Sequence, residues 1–133
     1  MSILEKLKNS KIIIVTHVFA TGPAQELEEY LKNRVKELLF IGHPFSYASD
    51  IRSFYKRYEK GTLTKEKKAL SWKLPGLLMW FKDIVYTIFW TLCSKGKFDL
   101  YVGADNLNAF TGLFLRKIGK VKKVIFYTID YLR

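Results

Sequence analysis

Uninterrupted apolar runs alternate along this chain with stretches whose apolar positions recur every three or four residues. Residues 11–16 (KIIIVT) form a β-branched run, the pattern of a strand covered on both faces. Residues 23–33 carry Leu27, Tyr30 and Leu31 at i, i+3 and i+4, with Glu26, Glu28 and Glu29 early and Pro23 at the start, which predicts a helix. Residues 37–41 (ELLFI) read as a second strand, ended by Gly42, His43 and Pro44. Residues 52–72 are less regular, and Gly61 between two mildly β-prone arms predicts a hairpin projecting from the domain. Beyond it the pattern predicts a long apolar helix over 75–94, a strand over 99–102, a helix over 105–117 and a strand over 122–129.

Four strands separated by helical segments predict an α/β fold: a Rossmann-like parallel sheet with helices on both faces, in three αβα layers. All 133 residues fit one domain with one sheet, and there is no internal repeat. Such sheets bind ligands beyond the carboxyl ends of their strands, where strand order reverses. That rule places residues 16–25, 42–49, 103–108 and 130–133 on one edge.

Charge narrows the partners. The chain has 23 Lys and Arg against 12 Asp and Glu, a formal charge of +11, which favours anionic ligands, nucleic acid or acidic lipid. Residues 51–73 hold eight of those cations and two acids. Arg52, Lys56, Arg57, Lys65, Lys67, Lys68 and Lys73, interleaved with Tyr55, Tyr58 and Trp72, suit a membrane or anion patch as well as a solvated face. The lone Cys93 excludes an intrachain disulfide and fits a reducing compartment, and no secretory signal pattern opens the chain. A cytoplasmic location follows, with peripheral attachment to the inner face of the cell membrane as an extension. Residues 74–93 are long enough to span a bilayer, but Lys82 and Asp83 sit near the middle at about 2.5–3.5 kcal/mol each. Asp83, Thr87 and Thr91 add a polar stripe at i, i+4 and i+8, so a helix of the sheet's outer layer is expected instead.

The candidate chemistry lies in the loops. The turn after the first strand has only Gly22 where a dinucleotide fingerprint needs three glycines, and Pro23 removes one backbone donor. Asp105 and Asn106 follow a strand and suit helix capping as well as ligand contact. His17 and His43 end two strands without a carboxylate cluster, so no metal site is expected. Gln25 can bind a hydroxyl or face water, and Asp130 heads a loop after the last strand.

The runs "KIIIVTHVFATGPAQELEEYL", "LLFIGHPF" and "FDLYVGADNLNAFTGLFLRKIGKVKKVIFYTIDYLR" together resemble the N-terminal domain of GT-B glycosyltransferases, closest to the retaining family four. The resemblance covers nearly the whole chain, with short motifs. It implies a hexosyltransferase moving a sugar from a nucleotide-sugar donor, a co-substrate rather than a cofactor, to a hydroxyl acceptor, including lipid-linked or cell-envelope glycans. It implies that His17, Thr21, Gly22 and Gln25 shape the acceptor cleft, with Asp105 and Asn106 on the same edge. Many relatives carry a His where this chain has Asp130, which would then act as base or bind a sugar hydroxyl. The donor is held by a C-terminal domain, expected in cis or as a separate chain, and the isolated acceptor half would not turn over. The alternative from the residues alone is a stand-alone basic module binding nucleic acid or anionic membrane, with nucleic acid the lesser of the two.

Overall fold

A computed structural model describes residues 3–18, 23–44, 52–69, 76–104 and 106–126. Helix α1 (Ile3–Lys8) leads into β1 (Lys11–Val18), followed by α2 (Pro23–Leu31) and β2 (Glu37–Pro44). A hairpin of β3 (Phe54–Glu59) and β4 (Thr62–Lys68) precedes α3 (Gly76–Cys93). The chain continues through β5 (Phe98–Gly103), α4 (Asn106–Lys117) and β6 (Val121–Phe126). The fold is α/β, with one six-stranded mixed sheet in the order β4-β3-β2-β1-β5-β6.

The four strands expected from the apolar runs form the parallel part of the sheet, β2-β1-β5-β6. The hairpin does not project. β3 pairs antiparallel with β2 and β4 with β3, so the hairpin widens the same sheet. Its turn is the two-residue loop Lys60–Gly61, both at positive φ (53° and 87°), matching the twist of a tight hairpin. Every residue of β4 is exposed, and Lys65, Lys67 and Lys68 on this edge discourage pairing with another chain.

Alternation along the strands separates two apolar clusters. One gathers Ile12, Ile14, Leu38, Phe40 and Val102, and draws in Leu31 of α2 and Leu7 of α1. The other gathers Ile13, Val15, Leu39, Ile41 and Tyr101, and draws in Trp90 of α3 and Leu115 of α4. β1 lies at the centre with both faces covered, which is why its sequence is a continuous β-branched run rather than an alternating one.

Candidate functional site

Strand order reverses between β1 and β5. From β1 the chain moves outward to β2, whereas β5 returns on β1's other side and leads to β6. α2 follows β1 and α4 follows β5, so both helices begin at the carboxyl edge and flank this reversal.

The geometry there is set by backbone contact. Ala104 N–H donates to the Val15 carbonyl at 2.9 Å, carrying the join of β1 and β5 one residue past the strand end. Gly103 lets the first turn of α4 sit directly on β5. A Cβ at this position would lie 2.6 Å from both N and Cα of Ala109 and 2.9 Å from the Asn108 carbonyl carbon. The Tyr101 hydroxyl donates to the Asn108 carbonyl at 2.8 Å, and Gly112 leaves room for the Tyr101 ring. A strand end, a glycine and a buried tyrosine thus fix where α4 starts.

A buried polar network lies at the carboxyl end of β2. His43 is wholly buried, with Nδ1 2.7 Å from Ser53 Oγ and Nε2 2.7 Å from Thr87 Oγ1. Asp83 Oδ1 is 3.5 Å from both Ser53 Oγ and His43 Nδ1, and Lys82 Nζ is 3.4 Å from the same oxygen. With the Ser53 hydroxyl donating to Asp83, it accepts from Nδ1–H, and Nε2 is left to accept from Thr87. Each ring nitrogen then has a partner, so His43 anchors α3 and the start of β3 to β2 rather than offering a free imidazole. Lys82 Nζ is buried and meets Asp83 as an ion pair, with no hydrogen bond among the described residues. The stripe Asp83, Thr87 and Thr91 is therefore the inward face of α3.

Two further polar groups brace the sheet. On the α2 side, the Tyr58 hydroxyl donates to Glu28 Oε2 at 2.7 Å, with Lys56 Nζ 3.7 Å from the same oxygen. Burial, then the Glu28 hydrogen bond and charge, pushes the Tyr58 phenol well above its ordinary value. At the amino edge, Glu37 meets both Arg57 Nε and Lys11 Nζ at 3.6 Å, and Arg57 donates to Ser94 Oγ at 2.6 Å. Lys120 donates to the Ser94 carbonyl at 2.6 Å, and burial, then Lys11, lowers its ammonium below the usual lysine range.

These contacts sort the residues singled out by sequence. His17 of β1 stands opposite His43 of β2 in the parallel register, at the carboxyl edge. Gln25 lies in the first turn of α2 and Asn106 opens α4, so the fold brings the positions of His17, Gln25 and Asn106 to one edge. Thr21, Gly22, Asp105 and Asp130, and Trp72 and Lys73 of the basic patch, lie outside the described residues. Within that patch Lys56 and Arg57 are tied to Glu28, Glu37 and Ser94, Arg52 is half-buried, and Lys65, Lys67 and Lys68 line the exposed β4 edge.

The sequence reading missed Ser53 and Lys82 as members of the His43 network. The spacing of Asp83, Thr87 and Thr91 was the available signal, although spacing does not say what the stripe faces. Among the described residues no group of three or more His, Cys, Asp or Glu converges as metal ligands do, and no helix is long and apolar enough to cross a membrane. Comparison with protein-family models, with curated proteins and with solved structures gave no match.

Proposed function

We propose that this domain is the acceptor-side half of a glycosyltransferase using a nucleotide-sugar donor. The observation that carries the reading is the reversal of strand order between β1 and β5, flanked by the starts of α2 and α4. In an open α/β sheet this is where a ligand settles. The positions of His17, Gln25 and Asn106 lie along that edge, and the sequence resemblance supplies the reaction class.

In the proposed reaction an acceptor hydroxyl oxygen forms a bond to the anomeric carbon of the donor sugar. The bond from that carbon to the diphosphate oxygen breaks, and the nucleoside diphosphate leaves with the electron pair. The hydroxyl proton passes to a base, the role we give to Asp130. A donor-binding domain, in cis or as a separate chain, closes over this edge, because positioning on one side alone does not bring the reacting atoms together. The acceptor is a sugar or lipid-linked hydroxyl compound, and peripheral contact with an anionic membrane fits that class.

The test is transfer of radiolabelled sugar from a panel of nucleotide sugars into solvent-extractable and water-soluble acceptors of a cell lysate. The chain is assayed alone and together with any donor domain encoded downstream of Arg133. Transfer should need both halves and drop by about 10²-fold or more in Asp130→Ala. Absence of transfer with both halves present, with steeply salt-dependent RNA binding instead, would replace this reading by the nucleic-acid one.

A further inference from the structure

The outward faces of α3 and α4 are apolar where a surface helix is normally polar. On α3, Leu78, Phe81, Val85, Phe89 and Leu92 are exposed, with Phe81 at 65 % and Phe89 at 58 %. At 100° per residue these five positions fall within one narrow stripe, opposite the buried Asp83, Thr87 and Thr91. On α4, Phe110 is 71 % exposed, and Leu113 and Phe114 stand beside it. The two helices touch and contribute to the same apolar cluster of the sheet, so the stripes form one layer. At about 150–200 Å² for a large apolar side chain, half-exposed, these eight residues present roughly 700 Å². That exceeds the few hundred Å² usual for the largest apolar patch of a monomer.

Charge selects the occupant. Lys95 and Lys97 follow α3, and Arg116 and Lys117 close α4, all exposed. Asp83 is the sole carboxylate of α3 and is turned inward, while α4 has none. An apolar layer with a cationic end and no exposed carboxylate on either helix matches an anionic bilayer surface, where aromatic side chains enter the headgroup boundary and Lys and Arg meet lipid phosphates. A second copy docking symmetrically through its own α3–α4 layer would bring the same cations and no exposed carboxylate of either helix to meet them.

We infer that the α3–α4 layer docks the protein peripherally on an anionic lipid bilayer. The inference does not rest on the glycosyl-transfer reading. Docking through this layer leaves the carboxyl edge of β1, β2 and β5 uncovered at its border. The contact differs from the β3–β4 lysine patch in both its residues and its place in the fold.

The experiment is co-sedimentation of the full chain with vesicles of phosphatidylcholine alone or mixed equally with phosphatidylglycerol. Binding should appear on the mixed vesicles and fall by about tenfold for each of Phe81→Ser and Phe110→Ser. Lys95→Gln and Lys97→Gln should each cost about fivefold on anionic vesicles. Both phenylalanines are exposed, so the variants should keep the wild-type thermal melt. A dye on the single Cys93, exposed at the end of α3, gives a second readout on otherwise unaltered protein and should shift to the blue on mixed vesicles only. The inference is overturned if mixed vesicles bind both phenylalanine variants as well as wild type and leave the dye unshifted. It is equally overturned if light scattering finds a dimer that Phe110→Ser converts to monomer while no vesicle sediments the chain.

Discussion

Replacing Gly103 by Ala probes how closely α4 is seated on the sheet. The new Cβ would fall 2.6 Å from two backbone atoms of Ala109 and 2.9 Å from a third at Asn108. Carbon atoms rest about 3.5–4.0 Å apart, so the start of the helix must retreat by about 1 Å. No side chain can rotate away, because the atoms met are helix backbone. Overpacking of this kind costs about 1–3 kcal/mol, and an unyielding neighbour puts Gly103→Ala in the upper half of that range. The retreat also stretches the hydrogen bond from Tyr101 to the Asn108 carbonyl, adding about 1 kcal/mol. The expected loss is therefore about 3 kcal/mol. With a urea slope of about 2 kcal/mol per molar, the unfolding midpoint should fall by about 1.5 M. Gly119→Ala is the control. It has open space for a Cβ but a φ of +85°, so it should lose only about 1 kcal/mol, from backbone strain. A midpoint for Gly103→Ala within about 0.25 M of wild type would refute the close seating of α4.

Two other outcomes follow from the buried polar groups. Thr87→Val keeps the side-chain shape but leaves His43 Nε2 without its hydroxyl donor in a buried site, so equilibrium unfolding should show a loss of about 1–3 kcal/mol. An unchanged midpoint would show that Thr87 does not hold the ring. The Tyr58 phenol is raised in the folded state above an unfolded value near 10, so its contribution is present below pH 10 and lost as pH climbs past it. Melting curves from pH 8 to 11 should accordingly show a steeper alkaline decline for wild type than for Tyr58→Phe. Parallel declines would remove Tyr58 from the account.

The parallel strands were legible because both faces of β1, β2 and β5 are covered, which demands long apolar runs that few other elements contain. The hairpin arms were legible as strands, but their place was not. β3 is only partly covered on each face, by Tyr55 on one and Tyr58 on the other, and β4 is exposed throughout, so residues 54–68 carry no apolar run to show which strand they join. α1 has six residues and too few periods to stand out. The polar stripe of α3 could be read from spacing, whereas its direction depends on His43 and Ser53, 44 and 30 residues away from their partners in the helix. At the candidate site, the strand ends and helix starts could be read in advance. The need for glycine at 103 could not, because it arises from backbone meeting backbone across the turn into α4.

The central place of β1 also governs how the chain emerges during synthesis. Its partner β2 follows within a short span, but Ile12 meets Leu100 only after most of the chain has been made. Roughly 35 residues separate the end of the hairpin from the end of β5. At about 5–20 residues per second the ribosome needs about 2–7 s to add them. For that interval the half-built sheet carries an unpaired β-branched edge, Ile12 to Val15, beside a nascent helix rich in aromatic residues. Slowing translation between Lys68 and Gly103 should therefore raise the share of chains lost to aggregation, whereas slowing it before Lys68 should not.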